Sequence, residues 1–282
     1  MNTDEKPLAE QRPALPVAAR LPINRCNLPA VILGGPTYQA HPVPLEIDGI
    51  NDFHRDLFTA LDAIPTPMAR AERFIDYMTV RFCLEDLEEA GLTPGRRKKY
   101  RSNANYLRMV RGWSFDSDGR EGAVLKHWVE TRFGLLARYH GGALDGRDSD
   151  AYYHYLLQGS QGLYATNALE AQLDLLYTFC QYELARQQPA ITHFTLYRGI
   201  NRIDEHEVLM SSAAGQYRVL FNNLNSFTSC RERADEFGDY ILSVAVPTPK
   251  VLFYNRLLPG MLKGEDEYVV IGGVYDVVIN TL

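Results

Sequence analysis

The sequence predicts an α+β protein in which a mainly helical part precedes a strand-rich last third. Before about residue 186, apolar residues recur at the three- and four-residue spacing of a helix face. After Pro189, short segments rich in β-branched and aromatic residues follow, which is typical of strands. Hydrophobic residues are 46% of the 282 and charged residues 23%, the composition of a globular protein with a large core. We expect a helical region over 23–186 and a strand-rich region over 187–282, either as two units or as one compact unit.

The first 22 residues are rich in polar residues, Pro and Ala, and are predicted to form a disordered arm. This arm contains acidic residues and no apolar run, so no signal peptide is predicted. No run of about 18 apolar residues, the length that spans a membrane, occurs in the sequence. The four cysteines lie far apart without the spacing of a metal site, which indicates reduced thiols in a cytoplasmic protein.

The clearest helix signal is Thr66-Pro67, an N-cap residue followed by proline at the first helical position. Gly91 and Pro94 are predicted to end this helix. A second long helix is predicted over 167–185, and its buried stripe is predicted to be Leu169, Leu173, Leu176 and Cys180. Shorter helices are predicted near 100–111, 121–138 and 149–158.

Strands are predicted where β-branched and aromatic residues concentrate, over 192–199, 240–246, 251–254 and 268–279. One short helix is predicted around 231–237, between the first and second of these strands.

Three short segments of the strand-rich region carry the candidate chemistry. The first ends a predicted strand with Arg198 and Gly199, the second is Asn225–Ser229, and the third is Gly264–Tyr268. Each alone has an ordinary explanation: a solvated arginine, hydroxyls that cap backbone groups, and a solvated acidic loop. Their order, spacing and strand context together indicate a site.

The third segment contains two glutamates two positions apart. In an extended chain such residues point to the same face, so Glu265 and Glu267 are expected to bring their carboxylates together. Two like charges on one face are unfavourable unless something cationic lies nearby. A guanidinium and an electron-poor ribose ring would both meet that requirement, and Arg198 alongside could bind a pyrophosphate with two parallel hydrogen bonds.

The three segments resemble the Arg–Ser–Glu class of ADP-ribosyltransferases, in which an arginine, a Ser-Thr-Ser element and a Glu-x-Glu pair line one NAD cleft. The resemblance implies an ADP-ribosyltransferase-like NAD-binding core, with Arg198 and Gly199 binding NAD as substrate and no metal. It also implies that Glu267, Glu265 and Arg198 are catalytic and that the acceptor is an arginine.

The serine element departs from the pattern of that class. Either Ser226 is the family serine, or Phe227, Thr228 and Ser229 occupy the three positions, with Phe in place of the first Ser. Ser226, Thr228 and Ser229 are therefore all candidate NAD-binding residues. The stretch 255–264, with a Pro259-Gly260 turn, precedes the glutamates and is the predicted acceptor-recognition loop.

Asn24–Ala30, Trp128–Leu136 and Thr166–Tyr177 resemble a narrower family, the NAD–dinitrogen-reductase ADP-ribosyltransferases of nitrogen-fixing bacteria, from about residue 22 onward. The resemblance implies that the acceptor is an arginine of dinitrogenase reductase, the nitrogenase iron protein. It implies release of nicotinamide, a switch-off of nitrogenase, and a PII-type signalling protein as regulatory partner.

Two other functions fit the same residues: an NAD glycohydrolase that uses water as acceptor, and a non-catalytic regulatory module that binds NAD or a PII-type protein. The seven histidines lack ligand spacing, and no Rossmann or Walker glycine motif occurs. The net charge of -6 disfavours nucleic-acid binding. The basic run Arg96–Arg101 is either a solvated helix start or a docking site for an acidic protein.

Overall fold

The computed structural model describes residues 14–84, 105–146, 148–162, 167–202, 206–211, 215–261 and 266–281. In these residues helices precede an antiparallel sheet, which confirms the predicted α+β class. The helices before the sheet are α1 (Ala30–Leu33), α2 (Pro36–Ala40), α3 (Ile50–Phe53), α4 (Arg55–Asp62), α5 (Pro67–Phe82), α6 (Tyr106–Phe115), α7 (Arg120–Phe133), α8 (Asp150–Gly162) and α9 (Asn167–Gln187). The sheet region contains β1 (His193–Ile200), β2 (Glu207–Ser211), β3 (Gln216–Thr228), α10 (Arg231–Asp235), β4 (Tyr240–Pro247), β5 (Val251–Tyr254) and β6 (Glu267–Thr281).

Helix α5 begins as predicted and ends earlier than predicted. The Thr66 hydroxyl accepts a hydrogen bond from the Ala69 N–H at 3.3 Å, and Pro67 occupies the first helical position. The helix ends at Phe82 because Cys83 adopts a left-handed backbone with φ of 50°. The prediction that Gly91 and Pro94 end it is therefore wrong, and both residues lie outside the described part of the chain.

Helix α9 confirms the predicted stripe, since Leu169, Leu173, Leu176 and Cys180 are at most 1% exposed. It packs on the sheet, where the Gln181 amide donates to the Val251 carbonyl oxygen at 2.7 Å. A buried ion pair fixes α7 against α9: Arg132 donates to both carboxylate oxygens of Asp174, at 2.7 and 2.9 Å. One apolar core contains residues of the helices and of the strands.

Within the described residues the sheet has six strands in the order β2-β3-β1-β4-β6-β5, and β3 also pairs with β6. The four predicted strands correspond to β1, β4, β5 and β6, whereas β2 and β3 were not predicted. The middle of β3 is polar, which hides the alternating pattern of a strand. Asn223 there is 1% exposed, and its amide donates to the Lys126 and Leu135 carbonyl oxygens at 2.8 and 3.1 Å. These bonds allow a polar side chain to lie buried between the strand and α7.

The predicted disordered arm over 1–22 is ordered in its described part. Leu15 and Ala19 are 3% and 2% exposed, and Arg20 forms a β-bridge with Leu135. Burial of these small apolar residues attaches the segment to the rest of the fold. In the described part of the chain no helix is long and apolar enough to cross a membrane.

Candidate active site

The three candidate segments meet where β1, β3 and β6 lie side by side. Tyr197 of β1 is opposite Thr228 of β3, and Thr228 is opposite Glu267 at the start of β6. This register places Arg198 beside Ser226, and the guanidinium donates to the Ser226 carbonyl oxygen at 2.7 Å. The Ser226 hydroxyl in turn donates to one carboxylate oxygen of Glu267 at 2.8 Å. Arg198, Ser226 and Glu267 thus form one hydrogen-bonded series.

Helix α6 supplies two side chains to the same series, and neither was predicted. The Trp113 indole N–H donates to the Ser226 hydroxyl at 2.9 Å. The Ser114 hydroxyl donates to the second carboxylate oxygen of Glu267 at 2.8 Å. Both oxygens of Glu267 are therefore held by serine hydroxyls, which fixes the plane of the carboxylate. Trp113 lies in the apolar stripe of α6 and looks like an ordinary core residue in the sequence.

The three hydroxyl candidates differ in what they contact. Ser226 contacts Glu267, as described. The Thr228 hydroxyl accepts from the Cys230 N–H at 3.1 Å, at the start of α10. The Ser229 backbone N–H donates to the Asp266 carbonyl oxygen at 3.2 Å. Side-chain contact with the glutamate favours Ser226 as the serine of this site.

Arg198 is half-buried, and its Nε is buried without a hydrogen-bond partner. Burial lowers the pKa of Arg198, while the nearby Asp118 carboxylate raises it. The guanidinium remains charged at neutral pH because its ordinary pKa exceeds about 12. A buried charge with an unused donor is suited to an anionic ligand such as a diphosphate.

Gly199 lies where α10 packs directly on β1. A Cβ atom at this position would lie 2.0 Å from the Ala234 carbonyl oxygen and 3.0 Å from the Phe237 Cβ. Any side chain here would push α10 away from the strand. The position thus needs glycine for packing, and its predicted contact with NAD stays a prediction.

Two cavities meet at Arg198 and form one cleft. They share Trp113, Ser117, Arg198 and Ser226. The first, of about 560 Å³, we call the Glu267 lobe; it is also lined by Ser114, Phe115, Tyr197, Gly199, Phe227, Thr228, Arg233, Ala234, Phe237 and Glu267. The second, of about 480 Å³, we call the Asp118 lobe; its side chains include Asp118, Lys126, Arg138, Asp145, His206 and Glu207.

Glu265 lies outside the described residues. Strand β6 begins at Glu267, and Asp266 before it has a left-handed φ of 56°. The expectation that residues 265 to 267 form one extended segment is therefore wrong, because Asp266 interrupts the two-residue period. Its carboxylate accepts instead from Arg256 at 2.8 Å.

Part of the predicted acceptor-recognition loop, residues 255–261, is described. Leu257 and Leu258 are at most 2% exposed and anchor it, while the Arg256 side chain is 78% exposed. Gly260 has a positive φ of 75°, in line with the predicted turn. Over the described ranges, no group of three or more His, Cys, Asp or Glu side chains could hold a metal ion.

Two comparisons with known proteins match the same family over nearly the whole chain. The sequence model of the family described as dinitrogenase reductase ADP-ribosyltransferase matches residues 23–279. Over 273 residues the chain is 38% identical to the NAD(+)--dinitrogen-reductase ADP-D-ribosyltransferase of Rhodospirillum rubrum. The aligned region covers 96% of this chain and 97% of that protein. No solved structure matches the chain.

Proposed function

The chain belongs to the dinitrogenase reductase ADP-ribosyltransferase family, and we propose that it transfers ADP-ribose from NAD to an arginine of dinitrogenase reductase. Nicotinamide is released, and the modified nitrogenase is switched off. The observation that carries the proposal is the hydrogen-bonded series of Arg198, Ser226 and Glu267 in a cleft of two lobes. We place the reaction in the cytoplasm, with a PII-type protein as regulatory partner.

The first chemical step breaks the bond between ribose C1 and the nicotinamide nitrogen. The pyridinium ring takes the electron pair and leaves as neutral nicotinamide, so no proton donor is required. Positive charge develops on the ribose, as in glycoside hydrolysis. Glu267 stabilises that charge, because Ser114 and Ser226 hold its carboxylate in a fixed orientation before the substrate arrives.

The second step forms a bond between ribose C1 and a guanidinium nitrogen of the acceptor. A protonated guanidinium is a poor nucleophile, since its pKa exceeds about 12. Glu265 orients it by charge-assisted hydrogen bonds and accepts the proton that it loses. The products are nicotinamide, ADP-ribosylated arginine and one proton.

The remaining candidates bind NAD around these two steps. Arg198 holds the diphosphate, since its Nε has no partner within the described structure. The Gly199 backbone contacts the nicotinamide amide, and one of Ser226, Thr228 and Ser229 supports Glu267 or the nicotinamide ribose. The loop over 255–264 recognises the acceptor protein.

The experiment follows nicotinamide release and label transfer in parallel, with labelled NAD and purified dinitrogenase reductase. Glu267→Gln removes the stabilising charge and should lower both activities by roughly 10²–10³. Glu265→Gln should abolish transfer to arginine and leave slow NAD hydrolysis, because water needs less help to act as acceptor. Asp266→Asn, between the two glutamates, is the matched control for nicotinamide release and should retain it; its lost pairing with Arg256 in the predicted acceptor loop bears only on transfer.

Three outcomes would contradict the proposal. Turnover of Glu267→Gln above half that of the wild type would remove Glu267 from the first step. If Glu265→Gln and Glu267→Gln lost nicotinamide release and label transfer to the same extent, the two glutamates would not have separate roles. Nicotinamide release that never depends on an added protein acceptor would favour an NAD glycohydrolase.

A further inference from the structure

Helix α6 contacts the acceptor-recognition loop as well as Glu267. The Arg111 Nε donates to the Met261 main-chain carbonyl oxygen at 2.9 Å, and a terminal guanidinium nitrogen donates to the Met261 sulfur at 3.7 Å. Ser114, three residues further along the helix, donates to Glu267 at 2.8 Å. Residues three apart are neighbours on one face of a helix, so a single turn of α6 holds both the loop and the carboxylate.

The described part of the loop is fixed at its start by the sheet and at its other end by Arg111. At the start, the Asn255 N–H donates to the Glu267 main-chain carbonyl oxygen at 3.0 Å, and Leu258 is fully buried. At the other end, the bond from Arg111 to Met261 joins the loop to a helix 150 positions away in the sequence. This bond therefore limits how far that end of the loop can move from α6.

The chemistry of the contact suits an anchor for the main chain. Arg111 is exposed, and among the described residues its hydrogen bonds go to Met261 and not to a carboxylate. A charged donor forms a stronger hydrogen bond than a neutral one, and a main-chain acceptor fixes the path of the chain itself. Arg108, one turn earlier, instead donates to Glu121 of α7 at 2.9 Å. The one arginine thus connects α6 to a neighbouring helix, and the other connects it to the loop.

The position of the loop matters for the second step of the proposed reaction and not for the first. The nicotinamide bond breaks at Glu267 before an acceptor attacks the ribose. Water is small and needs no recognition surface, whereas an arginine on a folded protein attacks only if the surface around it is held correctly. Loss of such positioning is costly, because a reacting group must be held close to its target in the right orientation. A loop that moved relative to Glu267 would lower transfer to a protein and spare hydrolysis.

We propose that Arg111 is a positioning residue for the acceptor protein. By holding Met261 against α6, it keeps the acceptor-recognition loop in a fixed place relative to the Glu267 carboxylate that Ser114 orients. It thereby favours a protein over water as the acceptor of ADP-ribose. The inference rests on the proposed function for the role of the loop, and the anchor itself can be tested without any reaction.

Hydrogen exchange of the purified full chain, without NAD or acceptor, tests the anchor. Arg111→Met keeps an unbranched apolar stem and removes the donors, so the amides over 255–261 should exchange roughly tenfold faster. Arg111→Lys keeps a charged donor and should restore part of the protection. Arg55→Met is the matched control, since it makes the same change at an exposed arginine of α4 that pairs with Asp52, and it should leave exchange of the loop unchanged.

Kinetics with labelled NAD and purified dinitrogenase reductase test what the anchor does. In Arg111→Met, kcat/KM for label transfer to the protein should fall roughly tenfold, the loss expected for one charge-assisted hydrogen bond. NAD hydrolysis without acceptor, and transfer to free arginine, should stay at the wild-type rate. Arg111→Lys should recover part of the protein transfer. Met261→Leu keeps the carbonyl oxygen that accepts the bond and should retain protein transfer, as should Arg55→Met.

Three results would overturn the inference. Unchanged exchange of the loop in Arg111→Met would show that the bond does not hold it. A parallel loss of NAD hydrolysis and protein transfer would show that Arg111 supports α6, and with it Ser114, rather than the loop. An equal loss with the protein and with free arginine would remove the role in selecting a protein acceptor. If the wild-type chain hydrolyses NAD but labels no protein, the proposed function fails, while faster exchange in Arg111→Met would still establish the anchor.

Discussion

Ser226→Ala is the substitution that most directly tests the geometry around Glu267. It removes the hydroxyl that donates to Glu267 at 2.8 Å and accepts from Trp113 at 2.9 Å. A hydrogen bond to a charged group contributes about 1.5–3 kcal/mol. If that contribution is made in the transition state, kcat for nicotinamide release should fall roughly 10- to 150-fold.

The KM for NAD should change little in this variant. Arg198 contacts the carbonyl oxygen of residue 226, which alanine retains. Steady-state nicotinamide release over a range of NAD concentrations separates the two constants. Ser226→Thr restores a hydroxyl and should recover part of the lost rate. Ser229→Ala, at the other candidate serine, should lose less activity than Ser226→Ala, because the Ser226 hydroxyl donates to Glu267.

Two results would refute this reasoning about Ser226. The first is turnover above half that of the wild type, and the second is a loss that appears entirely in KM. Because alanine leaves the Trp113 indole N–H without its partner, thermal unfolding of each variant must show that the fold is intact. If kcat for nicotinamide release fell more in Ser229→Ala than in Ser226→Ala, Ser229 rather than Ser226 would be the serine that supports catalysis.

Three further predictions address NAD, the acceptor and the core. Arg198→Lys keeps the charge and loses the planar pair of donors, so calorimetry should show roughly tenfold weaker NAD binding, and unchanged affinity would indicate a structural role. Phe115 is 94% exposed at the Glu267 lobe, so Phe115→Ala should raise the KM for the acceptor protein roughly tenfold while transfer to free arginine stays constant; a parallel loss with both acceptors would disprove this. Burial lowers the pKa of Lys250 to about 7. Between pH values of about 7 and about 10.4, Lys250 is protonated in the unfolded chain and neutral in the native protein. The free energy of unfolding should therefore rise with pH by about 1.4 kcal/mol per pH unit. Denaturant titrations at pH 8 and 9 should show this slope in the wild type but not in Lys250→Met, and identical slopes would contradict the shifted pKa.

The strand-end positions of Arg198 and Glu267 could be predicted from the sequence, because β1 and β6 have a strong β-branched and aromatic pattern. Their contacts with Ser226 bring them to one site. The identity of the serine could not be read in the same way. Ser226 and Ser229 are equally plausible in the sequence, and the register of β3 against β6 separates them. That register could not be predicted, since the polar middle of β3 does not alternate as a half-buried strand does.

Asp266 shows where a local rule fails. Residues two apart share a face only while the chain between them is extended. Asp266 is left-handed, with its carboxylate paired to Arg256, and strand β6 starts one residue later. The end of α5 at Cys83 has a similar cause, because a single left-handed residue ends a helix without glycine or proline.

The sequence by itself determined the α+β class, the start of α5, the buried stripe of α9, and the strands β1, β4, β5 and β6. Each depends on side-chain periodicity or capping within a few neighbouring residues, so the signal is present in a short window. The tertiary structure alone decided that Trp113 and Ser114 reach Ser226 and Glu267. The Trp113–Ser226 contact spans 113 positions of the sequence, and the Ser114–Glu267 contact spans 153. They exist because α6 packs across the ends of β3 and β6, and no local pattern encodes which polar groups two distant elements will bring together.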